Sequence, residues 1–431
     1  MRLQIKGGRV IDPANQMDGV HDVCIDDGKI VSIGMMPDSF QADYTIHADN
    51  KIVCPGIIDL RARLREPGFE HKASIASETT AAAAAGITTL CCPPDTDPTI
   101  DTPAVLDLIN HRAQRVNKAR VVAIGALTLG LRGEHLSEMG ALRQAGCVGV
   151  GNALMPIDNT LVIRRAMEYA ASHDLTVFLH SQESWLSRDG YVHEGSMSMR
   201  LGLAGIPDIA ETIAVGRDLA LIEHTGVKAH FCQLSTARGV RMVARAQHEG
   251  LPVTADVTAH HLHLTEMDIG EFDGFCHVQP PFRTSRDRDG LRQGLLENVI
   301  SAICSDHQPH EFDAKLGPFV STEPGISALE TLLPLSLRLV QDRLLSLSEV
   351  IARLTVYPAK ILGLNLGSLT PGMTADICIY DPNEWWTITE DNIISQGKNS
   401  PCIGWELQGR VHHTLLNGQL VYSHAGCEIV V

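Results

Sequence analysis

From residue 57 to residue 307 the chain repeats one alternation, a short apolar, β-rich run followed by a stretch of helical period. The apolar runs fall at 57–64, 87–92, 121–127, 148–153, 177–180, 229–234, 253–260 and 302–307, and segments such as 74–85 and 160–173 carry the helical spacing between them. Eight strand–helix units in this order predict an α/β fold, a (β/α)8 barrel of the TIM type. The two ends read differently. Leu3-Gln4-Ile5-Lys6 alternates, Asp26-Asp27-Gly28 marks a hairpin, and Asn417-Gly418 marks another near the C-terminus. Turn chemistry of this kind between short apolar runs predicts β-hairpins. The expected organisation is a small composite β-sandwich from residues 1–54 and 366–431, around a barrel over 55–365.

Composition narrows the class. The 431 residues carry 35 Lys+Arg against 51 Asp+Glu, a formal net charge of −16. Nucleic acid and anionic membranes require a basic surface, so neither is an expected partner. No apolar run reaches signal-peptide or membrane-spanning length, and a cytoplasmic location is expected. Eleven cysteines without a C-x-x-C pair fit reduced, buried thiols. The 20 histidines suggest a metalloenzyme, because imidazole is the commonest metal ligand.

In a barrel of this type the chemistry sits at the C-terminal ends of the strands. The residues there are Arg61, Arg63 and Arg65 on strand one, Asp95 after strand two, and Asn152 and Ala153 on strand four. His180 ends strand five, Gln233 ends strand six, His260 and His261 follow strand seven, and Asp306, His307 and His310 follow strand eight.

Several segments at these positions resemble one known family. Pro55-Gly56-Ile57-Ile58-Asp59-Leu60-Arg61-Ala62-Arg63-Leu64-Arg65-Glu66-Pro67-Gly68 is similar to the strand-one signature of dihydroorotases in the amidohydrolase superfamily. Pro94-Asp95-Thr96-Asp97-Pro98, Thr258-Ala259-His260-His261-Leu262, Pro280-Pro281-Phe282-Arg283-Thr284 and Ser305-Asp306-His307-Gln308-Pro309-His310 follow in the family's order. The resemblance spans essentially the whole chain, and it implies a zinc-dependent hydrolase of a cyclic amide in pyrimidine synthesis.

The departures bear on whether that chemistry survives. The family's strand one carries His-x-His-x-Arg; here Arg61 and Arg63 replace both histidines, and Arg65 keeps the substrate-binding arginine. Asn152-Ala153 stands where the family has a metal-ligating carboxylate, and Gln233 where it has a histidine. His180 and Asp306, the latter also the family's general base, are the two ligand positions of six that remain. Among substrate contacts Arg65 and His310 are kept, while Asp95 and Gln279 replace asparagines.

Elementary chemistry sets the consequence. A guanidinium only donates hydrogen bonds and stays charged, so Arg61 and Arg63 cannot ligate zinc. Zinc hydrolases use at least three protein ligands plus an open position, and His180 with Asp306 falls short. Side chains at 61, 63 and 65 are spaced by two and would share one face of a strand. Arg61 or Arg63 is expected to pair with Asp306, the alternative being that both turn to solvent. Asp95 facing a substrate carboxylate would be repulsive unless one of the two is protonated or an arginine intervenes.

The remaining candidates have plainer readings. His261-Leu262-His263 and the His307/His310 pair are expected to be structural, and His412-His413 to sit at a surface or sheet edge. Lys72 and Lys315 are expected to be solvated, and Trp385-Trp386 to pack between sandwich and barrel. Cys232 and Cys304 lie near strand ends and could face the cavity. The sequence thus leads to an inactive dihydroorotase-like protein with no cofactor. The resemblance implies aspartate carbamoyltransferase as its partner, and a homo-oligomer is expected. Two alternatives stand beside it: an active zinc amidohydrolase using His180 and Asp306, and an anion-binding metabolite sensor built on Arg61, Arg63 and Arg65.

Overall fold

A computed structural model describes residues 2–425 and 429–430. The barrel strands are Ile57–Asp59, Ile87–Cys92, Arg120–Ala126, Gly149–Gly151, Val177–Leu179, Ala229–Phe231, Val253–Thr258 and Ala302–Cys304. They pair in parallel in chain order. The ring closes between the first and eighth strands by side chain as well as backbone. Asp59 Oδ1 accepts from Ser305 N at 2.9 Å, and just beyond, Arg63 N donates to His307 O at 2.9 Å. Asp59 is fully buried, and burial pushes its carboxyl up to about 6 against the hydrogen bonds from Ser305 and Arg61.

Local sequence explains the helices between the strands. Ser74 caps Ile75–Ala84 through Ser77 N, and Asn159 caps Thr160–Ser172 through Leu161 N, each satisfying an N-terminal amide that would otherwise lack a partner. Their buried faces meet the strands in one continuous core, including Ala81, Ala82, Ile163 and Met167. Inside the ring, Ile58, Cys91, Ile124, Phe178, Cys232 and Cys304 form a second cluster. No helix among the described residues is long and apolar enough to cross a membrane.

Strands from both chain ends share one nine-stranded sheet. Ile52–Pro55 is its seam, parallel to Arg2–Asp12 on one side and antiparallel to Ile377–Thr387 on the other. Glu406–Leu416 and Gln419–Ser423 extend it as the hairpin read from Asn417-Gly418. The sheet branches at Arg2–Asp12 and encloses its own core, with Ile5, Val23, Ile46, Val53, Ile377 and Leu415 in one cluster.

Several surface expectations are corrected. Lys72 is buried, bonded to His310 Nδ1 at 3.3 Å and paired with Glu323. Lys315 is buried too, donating to the carbonyls of Gly274, His277 and Glu323. Both ammonium groups gain a ring of acceptors from loops distant in sequence, which no local pattern reports. His413 lies in the sheet interior because Glu406–Leu416 is flanked on both sides. Of the two tryptophans, Trp386 packs on the core and donates to Gly409 O, whereas Trp385 points outward at 60% exposure, as strand alternation requires. Ten cysteines are free and buried, Cys232 and Cys304 included; Cys427 lies outside the described residues.

Candidate functional site

Arg61 and Arg63 both reach the carboxylate at the end of strand eight. Arg63 Nη1 stands 3.1 Å from Asp306 Oδ1, and Arg61 Nε stands 3.4 Å from the same oxygen. All three side chains are only 4% exposed, so neither arginine turns to solvent. Arg63 also donates through Nε to Asp95 Oδ2 at 2.7 Å. One guanidinium therefore bridges Asp95 and Asp306, the intervening arginine that makes two nearby carboxylates tolerable. Gln308 Nε2 completes the shell, donating to Asp306 Oδ2 at 2.9 Å. Sequence reasoning passed over Gln308, although its place two residues beyond Asp306 is a usable signal.

Arg65 departs from the shared face. Its φ of +61° turns the chain into the left-handed region, so the alternation that aligns Arg61 with Arg63 ends there. Its side chain instead donates to Pro309 O at 3.0 Å and meets His310 Nε2 at 3.1 Å. His310 is kept neutral, its pKa pushed down to about 2 by burial and then by Arg65 and Lys72. Arg65 itself is lowered to about 10, by burial and then by Arg63.

His180 faces the arginines without joining Asp306 in any ligand set. Burial, then Arg61, push its pKa down to about 3, against the weaker pull of Gln182 and Gln233. Its Nε2 lies 3.3 Å from Gln182 Oε1, and Gln279 Nε2 reaches the same oxygen at 3.5 Å. Asn152 is held away from the centre, accepting from Thr128 Oγ1 and donating to the carbonyls of Leu131 and Met155. Ala153 and Gln233 sit at φ of +51° and +55°.

Opposite charges face one another within this cluster, with Arg61 Nη2 and Arg63 Nη2 left without hydrogen-bond partners among the described residues. Burial would raise Asp95, but Arg63 and Arg61 hold it below the ordinary carboxylate range. For Asp306 burial wins, and its pKa is raised despite the same two arginines. Burial works against the charge on Arg61 as well, and Cys232, Asp306 and Asp95 outweigh it, leaving the guanidinium firmly protonated.

These residues do not fit a zinc pair. Two cations occupy the space beside Asp306, and both donate only. Among the described residues, no trio of imidazole, thiol and carboxylate ligand atoms within 4.8 Å includes His180 or Asp306. A deeper trio, His230, Cys232 and Asp256, has that spacing. There both His230 nitrogens are already bonded, to Thr254 Oγ1 and Asp256 Oδ2, and burial drives the Cys232 thiol pKa far up. Room is short as well. The cavity lined by His180, Cys232 and Gln233 measures about 10 Å³, and its neighbour lined by Asn152, Ala153 and His180 about 30 Å³. Each is of the size that holds a water, far below the several hundred Å³ of a ligand pocket.

His307, His261 and His263 at the barrel mouth each have hydrogen-bond partners of their own, while the buried His260 ring packs against His261 and Phe282. His307 Nε2 donates to buried Glu78 at 2.7 Å while its Nδ1 accepts from Ala328 N. His261 Nδ1 bonds Thr258 Oγ1 at 2.7 Å, and His263 Nε2 donates to Leu335 O at 2.8 Å. His261 and His263 thus point to different partners.

Comparison with known proteins places this arrangement. Residues 50–238 match the dihydro-orotase-like family, and residues 326–422 match an amidohydrolase family. A dihydroorotase-like protein of Pseudomonas putida is 50% identical over 423 residues, covering 98% of this chain and all of the relative; one from Pseudomonas aeruginosa is 50% identical over the same span. A dihydroorotase of Syntrophus aciditrophicus is 40% identical over 424 residues, again 98% of this chain and all of the relative. Among solved structures, an L-hydantoinase from Arthrobacter aurescens superposes with a TM-score of 0.88 at 23% identity, covering 100% of this chain and 97% of that one, a likeness of fold. Relatives this similar over nearly their full length settle the kinship: the chain belongs to the dihydroorotase family of the amidohydrolase superfamily.

Proposed function

We propose that this chain is a catalytically silent dihydroorotase-like protein, metal-free in its barrel, that serves as a structural partner of aspartate carbamoyltransferase in a mixed oligomer for pyrimidine synthesis. The observation that carries the loss of catalysis is the bridge from Arg63 to Asp306 and Asp95. Two guanidinium groups stand against Asp306 Oδ1, where a reacting water would have to approach the general-base position, and no ligand set beside it would activate that water. Support for the assembly role comes from the resemblance. The fold is kept in full while the ligand positions have changed, as selection on shape and interfaces would leave it.

Two measurements test this reading. Purified protein incubated with zinc should not turn over dihydroorotate. Turnover abolished by Asp306→Ala would overturn the inactive assignment. Co-expressed with the transcarbamoylase catalytic chain of the same organism, it should elute as one larger complex; separate elution at micromolar concentrations would remove the partner assignment.

A second reading, an anion-binding sensor, is favoured by Arg65, whose hydrogen-bond partners are a carbonyl and a neutral imidazole rather than a carboxylate. Orotate, carbamoyl aspartate and phosphate would each be screened by thermal shift, since a ligand specific to the folded state raises its melting temperature. A shift lost in Arg65→Met would support it, and no shift at millimolar ligand would end it.

A further inference from the structure

The terminal sheet carries a cluster of metal-ligand type well outside the barrel. One ligand atom each from Asp381, Glu384 and His412 lies within 4.8 Å of the others. The strand geometry is unusual in a way that makes this possible. Three residues apart on a regular strand, Asp381 and Glu384 would point to opposite faces. Asp381 pairs with Arg410 and Trp385 with Gln408, so four steps on one strand face two on the other. This bulge re-aims Glu384 to the side of Asp381, and bulges recur where a strand must redirect a side chain for function.

We propose that Asp381, Glu384 and His412 form a zinc site on this sheet, three protein ligands with the fourth position open to water. Each residue is already oriented as a ligand would be. Asp381 Oδ1 accepts from the amides of Asn383 and Glu384, which leaves Oδ2 for an ion. Glu384 Oε2 is 2.7 Å from His412 Nε2, while Oε1 faces Arg410 at 3.4 Å. Arg410 also stacks on Trp386 at 5.4 Å, which keeps its charge on the far oxygen. Hydrogen-bonded outer partners of this kind are what hold metal ligands in place. His424 stands outside this trio, its ring 5.9 Å from that of His412 and its Nδ1 bonded to Tyr422 Oη at 3.2 Å.

Chemistry selects the ion. Imidazole with carboxylates suits zinc, with bonds of about 2.0–2.2 Å, and a tetrahedral shell puts ligand atoms roughly 3.3 Å apart. On binding, the 2.7 Å hydrogen bond between Glu384 and His412 would open to ligand spacing and the Asp381 carboxylate, within 4.8 Å of both, would close in by side-chain rotation. Asp381 and Glu384 are partly exposed, so an ion has a way in. The site would staple Ile377–Thr387 to Glu406–Leu416. Its role is stability of the sheet rather than turnover.

The test is zinc titration of the full chain after chelator treatment, by calorimetry and thermal melting. One zinc per chain is expected, with a rise in melting temperature. His412→Asn and, separately, Asp381→Asn should weaken binding at least tenfold, while His180→Ala in the barrel leaves it unchanged. Circular dichroism would establish that the variants fold, and Asp381→Asn preserves the Glu384–Arg410 pair. Absence of saturable binding by the wild type overturns the proposal. So does binding that survives both sheet substitutions, or that disappears with His180→Ala.

Discussion

Arg63 Nη1 lies 3.1 Å from Asp306 Oδ1, so the carboxylate at the family's general-base position is engaged by a fixed cation. The same guanidinium holds Asp95 at 2.7 Å. A buried charge pair of this kind contributes little over an apolar replacement, yet breaking it from one side is costly, because the remaining charges are left buried and unpaired.

That asymmetry gives the first prediction. Arg63→Ala should destabilise the protein by about 3–5 kcal/mol, and adding Asp306→Asn should recover part of the loss. Urea unfolding of the two single variants and the double variant measures it. Equal or greater loss in the double variant would mean that the pair is not what holds the site together.

Metal uptake is the second. With Arg61→His and Arg63→His together, four ligating side chains would surround the vacated space: the two new imidazoles, His180 and Asp306. Such a variant should bind zinc in the barrel, a gain lost on His180→Ala, because three or more N/O ligands suffice for a zinc site. Failure to take up zinc through His180 would show that the change of strand-one residues is not what empties the site.

Acid stability is the third. His180 is depressed to about 3, and His261, His263 and His277 to about 4, in each case chiefly by burial. Between these values and the ordinary histidine range the unfolded chain binds protons that the folded one does not. Stability therefore rises with pH across that window, is fully present above about pH 6.5, and is lost as pH falls towards 4. Asp59, pushed up to about 6, acts in the opposite sense, as do the buried carboxyls of Asp306, Glu211, Asp218 and Glu330, so the histidine contribution is read as the difference between wild type and a histidine variant. Chemical denaturation from pH 7.5 down to 4.5 should show a steepening loss, each neutral histidine adding about 1.4 kcal/mol per pH unit at its limit. His180→Gln should flatten the curve.

Barrel closure is the fourth. Asp59 accepts from the Ser305 amide and hydroxyl at the seam of the first and eighth strands. Asp59→Ala would leave the buried Ser305 amide without its acceptor, at a cost of about 1–3 kcal/mol, while the Ser305 hydroxyl keeps Arg61 O at 3.3 Å. Asp59→Asn keeps an acceptor and should cost less. A melting temperature equal for both variants would argue that the seam depends on backbone pairing alone.

What the linear chain determined was the architecture and the identity of the altered positions. Alternating runs of period two and 3.6 residues are set by backbone geometry, and the ends of the eight runs mark the barrel mouth without any tertiary knowledge. From the chemistry of arginine alone it followed that Arg61 and Arg63 cannot be ligands. The reach of each side chain was decided elsewhere. Arg65 left the shared face because its φ of +61° interrupts the extended backbone that continues past the strand, and a spacing of two residues cannot announce that. Lys72 and Lys315 were read as solvated because their acceptors, Glu323 for Lys72 and the carbonyls of Gly274 and His277 for Lys315, arrive from loops far along the chain. Asp381, Glu384 and His412 come together only through a bulge and a neighbouring strand. Periodicity is local and survives in sequence; charge pairing and burial depend on which distant segments the fold brings within a few ångströms, and only the folded chain fixes that.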